Sequence, residues 1–316
     1  DNAMSGEDFA TYLPLAPDGA TFYVAEGTYS PFVKNGRQFL VNNSVTIKGG
    51  YPNGIKKGDL EDPSLQNKTI FNGEIIENDQ KEKLYLFILT KENIKFRIEH
   101  SYLQSSKYSI LSSDPNDIIV LDCYLSSSDY GVFANASSDI TVANTIFADN
   151  KISIRSNISG KYNGVIKIKD SEFIEDNDNT QSFVLAGDSL FMYNVTFSKS
   201  NVDNIPLMFN KYIELKKCNF IDIEQKSSII LSNADSASVD SCVFRGCKGN
   251  GLLSESKSIQ VSNSIFESNE VDDVFFATVD CDAYLYRNTF SNNITSSSVV
   301  HSAKKVTMYN NTVTGN

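Results

Sequence analysis

The sequence predicts an all-β chain, a single-stranded parallel β-helix of about ten or more coils with three strands per coil and an N-terminal cap. Three observations predict it. An aromatic or aliphatic residue recurs every 22 to 26 residues, an apolar alternation precedes it, and a second apolar stretch follows it. We call the recurring residue the anchor. The ten anchors are Leu103, Leu125, Phe147, Phe173, Phe197, Phe220, Phe244, Phe266, Phe290 and Val313.

Each anchor is preceded by a strand with one buried side. The positions seven and five residues before every anchor are apolar, as Ile259 and Val261 are before Phe266, and the residues between them are mixed. This period of two is typical of a strand with one face in a core. One such unit cannot bury its apolar side alone, so the repeat predicts units stacked around a continuous core.

A tight corner separates this strand from the anchor. The residue three positions before the anchor is often Asn or Asp, which tolerate left-handed backbone and hydrogen-bond to nearby peptides. The corner residues of this type are Asp122, Asn144, Asp170, Asn194, Asn263 and Asn310. A further apolar stretch, such as SIILS at 228–232, follows each anchor by about ten residues and predicts another strand.

The first twenty residues differ from the repeat. Asp1–Ala3 resembles a cloning scar, and residues 5–20 predict a helix or cap with Phe9, Tyr12 and Leu13 on one side. A coil needs such a plug, because its first core layer otherwise meets water. We therefore assign the chain to a scar and cap over 1–19 and one β-helix domain over 20–316, with irregular first coils over 20–95 and regular coils over 96–316.

Composition limits the partners. The net charge is −11 and the pI is about 4.7, which argues against nucleic acid because that ligand favours a basic stripe. A cationic ligand, calcium or a neutral glycan stays open. The longest apolar run, 84–89, is far shorter than the ~20 residues of a membrane-spanning helix. Five cysteines show no metal-ligand spacing, and Cys123, Cys218 and Cys242 are expected as buried free thiols.

Three stretches of the first coils carry a family resemblance. They are FYVAEGTY at 22–29, VTIKGGYP at 45–52 and TIFNG at 69–73, and we expect Gly27, Gly49, Gly50 and Gly73 at corners with positive φ. These stretches resemble secreted, pectin-lyase-like right-handed β-helix proteins, most of all adhesin-like proteins of bacterial cell surfaces. The resemblance implies a right-handed coil, an extracellular or cell-surface location with the signal peptide removed, and carbohydrate or a surface protein as partner.

A second resemblance concerns catalysis. LLSESKS at 252–258 is similar to the strand that carries a calcium ligand and the base in chondroitinase-B-like polysaccharide lyases. It implies Glu255 as a ligand of a possible Ca²⁺ and Lys257 as the residue that takes the α-proton of a uronate. The sequence departs from that family because the next coil, 275–282, has no Arg, a second carboxylate beside Glu255 is missing, and the chain has no Trp.

Two surfaces are candidates for binding. In lyases of this fold the groove follows the outer face of one sheet, which the resemblance places on the strands after the anchors. Candidate binding residues there and at the adjoining turn are Arg155, Asn210, Lys211, Asn233, Glu255 and Asp280. On the strands before the anchors, Tyr193, Tyr284 and Tyr286 are outward residues among lysines and acids, a set that can stack on sugar rings or stabilise the sheet.

An apolar stripe is a third feature. Phe133, Val184, Met208, Ile230, Leu253, Phe276 and Val300 are predicted as one outward column, with Phe275 pointing inward. An exposed stripe of this kind indicates an interface and suggests self-association, unless loops cover it or the register differs by one residue.

These observations favour a β-helix that binds a glycan or surface partner without catalysis. The alternatives are a calcium-assisted lyase acting on a uronate polymer through Lys257 and a structural stalk or oligomer module. No other cofactor is indicated.

Overall fold

A computed structural model describes most of the chain. The described residues are 6–31, 38–54, 63–64, 66–77, 80–135, 137–156, 164–174, 182–185, 188–202, 207–209, 211–225, 228–232, 234–254, 256–276, 281–301 and 304–316. The chain forms two compact units, residues 1–159 and 160–316, and we describe each by itself as the N-terminal and the C-terminal unit. Both are built from parallel strands, and the predicted fold, an all-β right-handed parallel β-helix with an N-terminal cap, is confirmed.

The N-terminal unit begins with a short cap and continues with short strands. Its elements are α1 (Gly6–Tyr12), a 3-10 turn (Leu13–Leu15), β1 (Ala20–Ala25), β2 (Gly27–Tyr29), β3 (Phe39–Val41), β4 (Val45–Tyr51), β5 (Thr69–Asn72), β6 (Glu74–Glu77), β7 (Gln80–Lys83), β8 (Tyr85–Leu89), β9 (Lys95–Glu99), β10 (Ser101–Gln104), β11 (Tyr108–Ser112), β12 (Asp117–Leu121), β13 (Tyr124–Ser126), β14 (Tyr130–Ala134), β15 (Asp139–Ala143), β16 (Ile146–Ala148) and β17 (Ile152–Ser156).

These strands form three parallel sheets and one hairpin. Sheet 1 is β1-β4-β9-β12-β15, sheet 2 is β2-β5-β10-β13-β16, and sheet 3 is β3-β8-β11-β14-β17. The antiparallel hairpin β6-β7 projects from this arrangement. Each coil contributes one strand to each sheet, which is the three-strand coil that the repeat predicts.

The cap closes the core of the N-terminal unit. Phe9 of α1 is 1% exposed, and its ring packs against Phe22, Phe39 and Phe71 with centroids 5.3 to 5.7 Å apart. The prediction that Tyr12 shares this side is wrong, because its side chain is 54% exposed. Leu13, the other residue predicted on this side, is 1% exposed, so Phe9 and Leu13 are buried in the core without Tyr12.

The C-terminal unit continues the pattern. Its elements are β18 (Val165–Ile174), β19 (Ser182–Leu185), β20 (Ser189–Val202), β21 (Leu207–Phe209), β22 (Tyr212–Lys216), β23 (Asn219–Gln225), β24 (Ser228–Ser232), β25 (Ser236–Asp240), β26 (Val243–Arg245), β27 (Lys248–Ser254), β28 (Ser258–Ser262), β29 (Ile265–Glu267), β30 (Glu270–Phe276), β31 (Asp282–Tyr286), β32 (Thr289–Ser291), β33 (Ile294–His301), β34 (Lys305–Tyr309) and β35 (Thr312–Thr314).

Its three sheets are parallel throughout the described strands. Sheet 1 joins the first halves of β18 and β20 to β22-β25-β28-β31-β34, and sheet 2 joins their second halves to β23-β26-β29-β32-β35. Sheet 3 is β19-β21-β24-β27-β30-β33.

The anchors stack as the repeat predicts. In the C-terminal unit the rings of Phe173, Phe197, Phe220, Phe244, Phe266 and Phe290 lie in one column with neighbouring centroids 4.7 to 5.0 Å apart. In the N-terminal unit Leu103, Leu125 and Phe147 are register partners. Each fully buried anchor contributes on the order of 1.5–3 kcal/mol through the hydrophobic effect.

The corners before the anchors have left-handed backbone. The Asn and Asp corners predicted from the sequence have φ between 48° and 54°. The same column also holds four residues that the prediction missed, His100, Lys217, Ser241 and Arg287, with φ between 49° and 57°. The stacked sheets impose the conformation at every coil, so residues that rarely adopt it are held there as well.

Two interior columns of polar side chains run from coil to coil. One lies two residues before the anchor, where the Ser264 amide donates to Asn288 Oδ1 at 3.0 Å. The other lies three residues after the anchor, where Asn293 Nδ2 donates to the Phe266 carbonyl at 2.9 Å. All five cysteines are buried and free, as expected for Cys123, Cys218 and Cys242.

The register corrects the apolar stripe. Ile230 pairs with Leu207 and Leu253 pairs with Phe275, so the column contains Leu207 and Phe275 in place of the predicted Met208 and Phe276. The prediction that assigned Phe275 and Leu253 to opposite faces of the sheet is therefore wrong, because the two residues are register partners. Turns of different length shift the pairing by one residue, which a fixed count from the anchor does not detect.

Two of the four predicted glycine corners differ. Gly27 and Gly50 have positive φ, at 144° and 81°, but Gly49 and Gly73 do not. A Cβ on Gly49 would lie 2.5 Å from the His100 carbonyl oxygen, so close backbone approach explains this glycine. Within the described residues, no helix is long and apolar enough to cross a membrane.

Candidate functional site

The outer side of sheet 1 in the C-terminal unit gathers the predicted tyrosines. Along sheet 1 from β18 to β31, buried residues alternate with outward ones, because the apolar positions of the repeat face the core. We call the outward side the tyrosine face. Its residues are Lys167, Lys169, Phe191, Tyr193, Glu214, Lys216, Ser238, Asp240, Gln260, Ser262, Tyr284, Tyr286, Thr307 and Tyr309.

One end of the tyrosine face is aromatic. Tyr284 is 42% exposed and Tyr309 is 62% exposed. The rings of Tyr286 and Tyr309 are parallel, with an interplanar angle of 1° and centroids 5.6 Å apart, and the Arg287 guanidinium lies 4.7 Å from the Tyr286 centroid. Parallel pairing and cation–π contact fix these rings in place without burying them.

The other end combines tyrosine with lysine. Lys217 Nζ donates to Tyr193 Oη at 2.9 Å, and Lys169 Nζ lies 6.0 Å from the Tyr193 centroid. The hydrogen bond from Lys217 lowers the pKa of Tyr193, and the same bond raises the pKa of Lys217. Lys217 was missed in the sequence because it occupies the corner position, where an Asn or Asp was expected.

The middle of the tyrosine face is small and polar. Ser238, Gln260 and Ser262 lie on β25 and β28, and Asp240 accepts hydrogen bonds from Ser262 Oγ and Asn263 Nδ2, both at 2.7 Å. Burial acts to raise the pKa of Asp240, but the bonds from Asn263, Ser262 and Ser241 outweigh it and hold the pKa low. The larger side chains at both ends therefore flank a shallow centre.

This arrangement favours binding over acid–base chemistry. A general acid or base works best with a pKa close to the operating pH. The pKa of Asp240 is lowered and that of Lys217 is raised, so both move away from neutrality. Exposed ring faces, hydroxyls, amides and ammonium groups are instead the groups that hold sugar rings and their hydroxyls.

The predicted base Lys257 lies in a column of alternating charge at the start of the sheet 1 strands. Lys257 Nζ donates to Asp235 Oδ1 at 2.5 Å. In the two coils before Asp235, Lys211 Nζ donates to Asp188 Oδ2 at 2.5 Å. Asp235 raises the pKa of Lys257. A base needs a lowered pKa, so this contact does not favour the role, which stays a prediction.

Of the other predicted binding residues on the strands after the anchors, the structure describes Arg155 and Lys211. Arg155 belongs to the N-terminal unit, where its guanidinium lies 5.7 Å from the Phe133 centroid and Nη1 donates to Tyr130 Oη at 3.5 Å. Asn210, Asn233, Glu255 and Asp280 lie outside the described residues.

The calcium hypothesis depends on one of those residues. Among the described residues, no group of three or more His, Cys, Asp or Glu side chains is placed to hold a metal ion. Glu255 is the implied ligand and is not described, so Ca²⁺ at this position stays a prediction.

One of three comparisons with known proteins found a match, and it supports the β-helix fold. Comparisons with curated proteins and with solved structures found no match. A family model described as a right-handed β-helix region matches residues 156–316, just over half of the chain. With its stacked anchors and parallel sheets, the chain belongs to the right-handed β-helix family.

Proposed function

We propose that this protein binds a glycan on the tyrosine face and does not transform it. The observation that carries the proposal is the exposed aromatic end formed by Tyr284 and Tyr309 on neighbouring strands of a rigid sheet. Each ring offers a flat apolar surface beside a hydroxyl, which suits a sugar ring with its alternating apolar face and polar edge.

The strand spacing supports an extended ligand. Neighbouring strands of sheet 1 lie about 4.8 Å apart, so side chains of one column recur at that interval. A glycan that crosses the strands meets a new set of outward side chains at each step. Tyr309, Tyr286 and Ser262 lie on three successive strands in one such column.

Calcium-assisted cleavage is the other function that the sequence suggested. The ion pair between Lys257 and Asp235 does not favour it, so binding is the function that we propose. The two functions predict different outcomes in one experiment, because a lyase releases an unsaturated uronate whose absorbance is easily followed.

The test is a glycan array probed with the full chain, with and without calcium. We expect binding that the double variant Tyr284→Ala/Tyr309→Ala weakens by about tenfold or more, since each aromatic contact contributes roughly 0.5–1.5 kcal/mol. Tyr23→Ala is the matched control, because Tyr23 is 47% exposed on sheet 1 of the N-terminal unit. Circular dichroism verifies that each variant is folded.

Three results would contradict the proposal. They are the absence of any glycan ligand, binding that persists in the double variant, and binding that Tyr23→Ala weakens equally. A calcium-dependent release of unsaturated product from a uronate polymer would favour the lyase instead.

A further inference from the structure

The lysine-rich end of the tyrosine face differs in charge from the rest of the protein. Four ammonium groups, those of Lys167, Lys169, Lys216 and Lys217, lie on or beside the first three strands of the face. The chain as a whole has a net charge of −11, so this concentration of positive charge is local. A local positive field on an acidic protein attracts an anionic group to that place.

Neighbouring carboxylates neutralise part of this charge. Asp170 Oδ2 lies 3.3 Å from Lys169 Nζ, and Asp170 Oδ1 accepts a hydrogen bond from Asn194 Nδ2 at 2.7 Å. Glu214 accepts a hydrogen bond from Tyr212 Oη at 3.0 Å. Asp240 adds a third carboxylate, because it lies beside Lys216 on the next strand. Four cations against three anions leave an excess of one positive charge among the described side chains at this end.

Lys217 and Tyr193 form a preorganised pair of donors. The bond between Lys217 Nζ and Tyr193 Oη uses one of the three ammonium hydrogens, and the phenol keeps its own hydrogen. Tyr193 is 37% exposed, so a ligand oxygen reaches both groups from solvent. Lys169 approaches the same ring from the neighbouring strand.

The centre of the face disfavours further negative charge on a ligand. Asp240 lies next to Lys216 in the same column, and its hydrogen bonds keep the carboxylate ionised. A ligand that carries a negative charge on every sugar would place one of these charges beside the Asp240 carboxylate. The two negative charges would repel each other.

The distance between the two ends sets the ligand's length. Tyr193, Lys216, Asp240, Ser262 and Tyr286 are successive partners in one column, which makes four strand intervals. At about 4.8 Å per interval Tyr286 is roughly 19 Å from Tyr193, and Tyr309, one strand further, is roughly 24 Å away. This is the reach of a tetrasaccharide or pentasaccharide lying across the strands.

We infer that the ligand is an oligosaccharide with one acidic group at one end, held by Lys169, Lys217 and Tyr193, while neutral sugars extend to Tyr284 and Tyr309. This inference rests on the proposed function and adds the charge and direction of the ligand. The acidic group is a carboxylate or a sulfate ester, since both offer the ionised oxygens that ammonium groups bind.

The test compares four probes by calorimetry with the full chain. They are chitotetraose, chitotetraose with one terminal glucuronate, chitotetraose with one terminal sulfate ester, and tetragalacturonate. We expect one or both singly acidic probes to bind about tenfold more tightly than chitotetraose, because a charge-assisted bond in this geometry gains about that much. Tetragalacturonate is expected to bind less tightly than the better of them.

Three variants locate the acidic group. Lys169→Gln/Lys217→Gln is expected to abolish the tenfold preference, so that this variant binds chitotetraose and the singly acidic probes with equal affinity. Lys305→Gln removes an exposed lysine from the last strand of the same sheet and should keep the preference. Arg287→Asn removes the cation at the aromatic end of the face and retains a residue type suited to its left-handed backbone. This variant should also keep the preference.

The outcomes separate this inference from the proposed function. If chitotetraose and both singly acidic probes bind equally and Tyr284→Ala/Tyr309→Ala weakens them, this inference is wrong and glycan binding stands. If Arg287→Asn abolishes the preference and the double lysine variant retains it, the inference is also wrong. If none of the four probes binds, this inference is wrong, and the glycan array decides the proposed function separately.

Discussion

Lys257 Nζ donates a hydrogen bond of 2.5 Å to Asp235 Oδ1, which lies one coil earlier in the same column. The contact raises the pKa of Lys257 and lowers that of Asp235, because each charge stabilises the other. Lys257 is thereby part of a column of alternating charges, and its raised pKa does not favour a role as a general base.

The first prediction concerns this pair. Asp235→Asn is expected to lower the pKa of Lys257 toward its ordinary value, since the variant removes the charge that stabilises the ammonium. The measurement is an NMR titration of the lysine ε-methylene signals. Asp282→Asn, which removes a carboxylate from a later coil, should leave the Lys257 titration unchanged. A pKa of Lys257 below its ordinary value in the unmodified protein would refute the prediction.

The second prediction concerns the stacked anchors. Phe220 is fully buried, and its ring lies 4.9 Å from Phe197 and 4.7 Å from Phe244. Phe220→Ala is expected to lower the free energy of unfolding by about 3–5 kcal/mol, because the neighbouring coils cannot collapse into the cavity. Urea denaturation measures it. Ile265→Ala, at a side chain 37% exposed, should cost about 1 kcal/mol or less, and equal losses would speak against a stabilising column.

The third prediction concerns left-handed corners. Ser127 has a φ of 55° and an exposed side chain, so Ser127→Gly relieves steric strain without removing a buried contact. We expect a gain of about 0.5–1 kcal/mol after the entropy of the more flexible unfolded chain is subtracted. Ser113→Gly is the matched control at an exposed serine without positive φ, where the same change should destabilise. A loss of stability in Ser127→Gly would contradict this account.

The fourth prediction concerns the thiols. Burial raises the pKa of Cys123 and of Cys247 to about 12, so neither forms appreciable thiolate near neutral pH. All five cysteines are buried. Because the reagent cannot reach buried thiols, the folded protein should not react with dithionitrobenzoate, and all five thiols should react after denaturation. Rapid reaction of any thiol in the folded protein would show a more open core.

The fifth prediction concerns acid sensitivity. The folded pKa of Asp240 is below its unfolded value of about 3.9, so its ionised form contributes stability above that pH and this contribution disappears as the pH falls through the folded pKa. Asp240→Asn should lower the urea midpoint at neutral pH and flatten its fall below about pH 4. Glu92→Gln, at an exposed carboxylate of the N-terminal unit, is the control. An unchanged acid profile in Asp240→Asn would exclude this role.

Much of the β-helix fold could be predicted from the residue pattern within one repeat. The spacing of Phe173, Phe197 and Phe220 predicted one column, because each coil has to present the same side chain to the core as the coil before it. The corners at Asp122 and Asn144 were predictable because few residue types tolerate left-handed backbone. Lys217 and Arg287 occupy the same corner without that signature, since coil geometry overrides the preference of a single residue.

The sequence predicted only part of the candidate site. The alternation around Tyr193 and Tyr284 identified outward residues on one sheet, and the structure places them there. The sequence alternation does not predict the bond between Lys217 and Tyr193 or the bond between Lys257 and Asp235. These partners lie 24 and 22 residues apart, and their contact depends on the register of neighbouring coils.

The sequence by itself determined the repeat, its period, the buried columns and hence the parallel coil, because these depend on side-chain pattern within one unit. The tertiary structure decided which side chains of successive coils meet. Leu207 instead of Met208 beside Ile230 is one such decision, and Asp235 beside Lys257 is another. The physical reason is that a turn lengthened by one residue shifts the pairing of the strand that follows it, while the apolar pattern of the single coil stays the same.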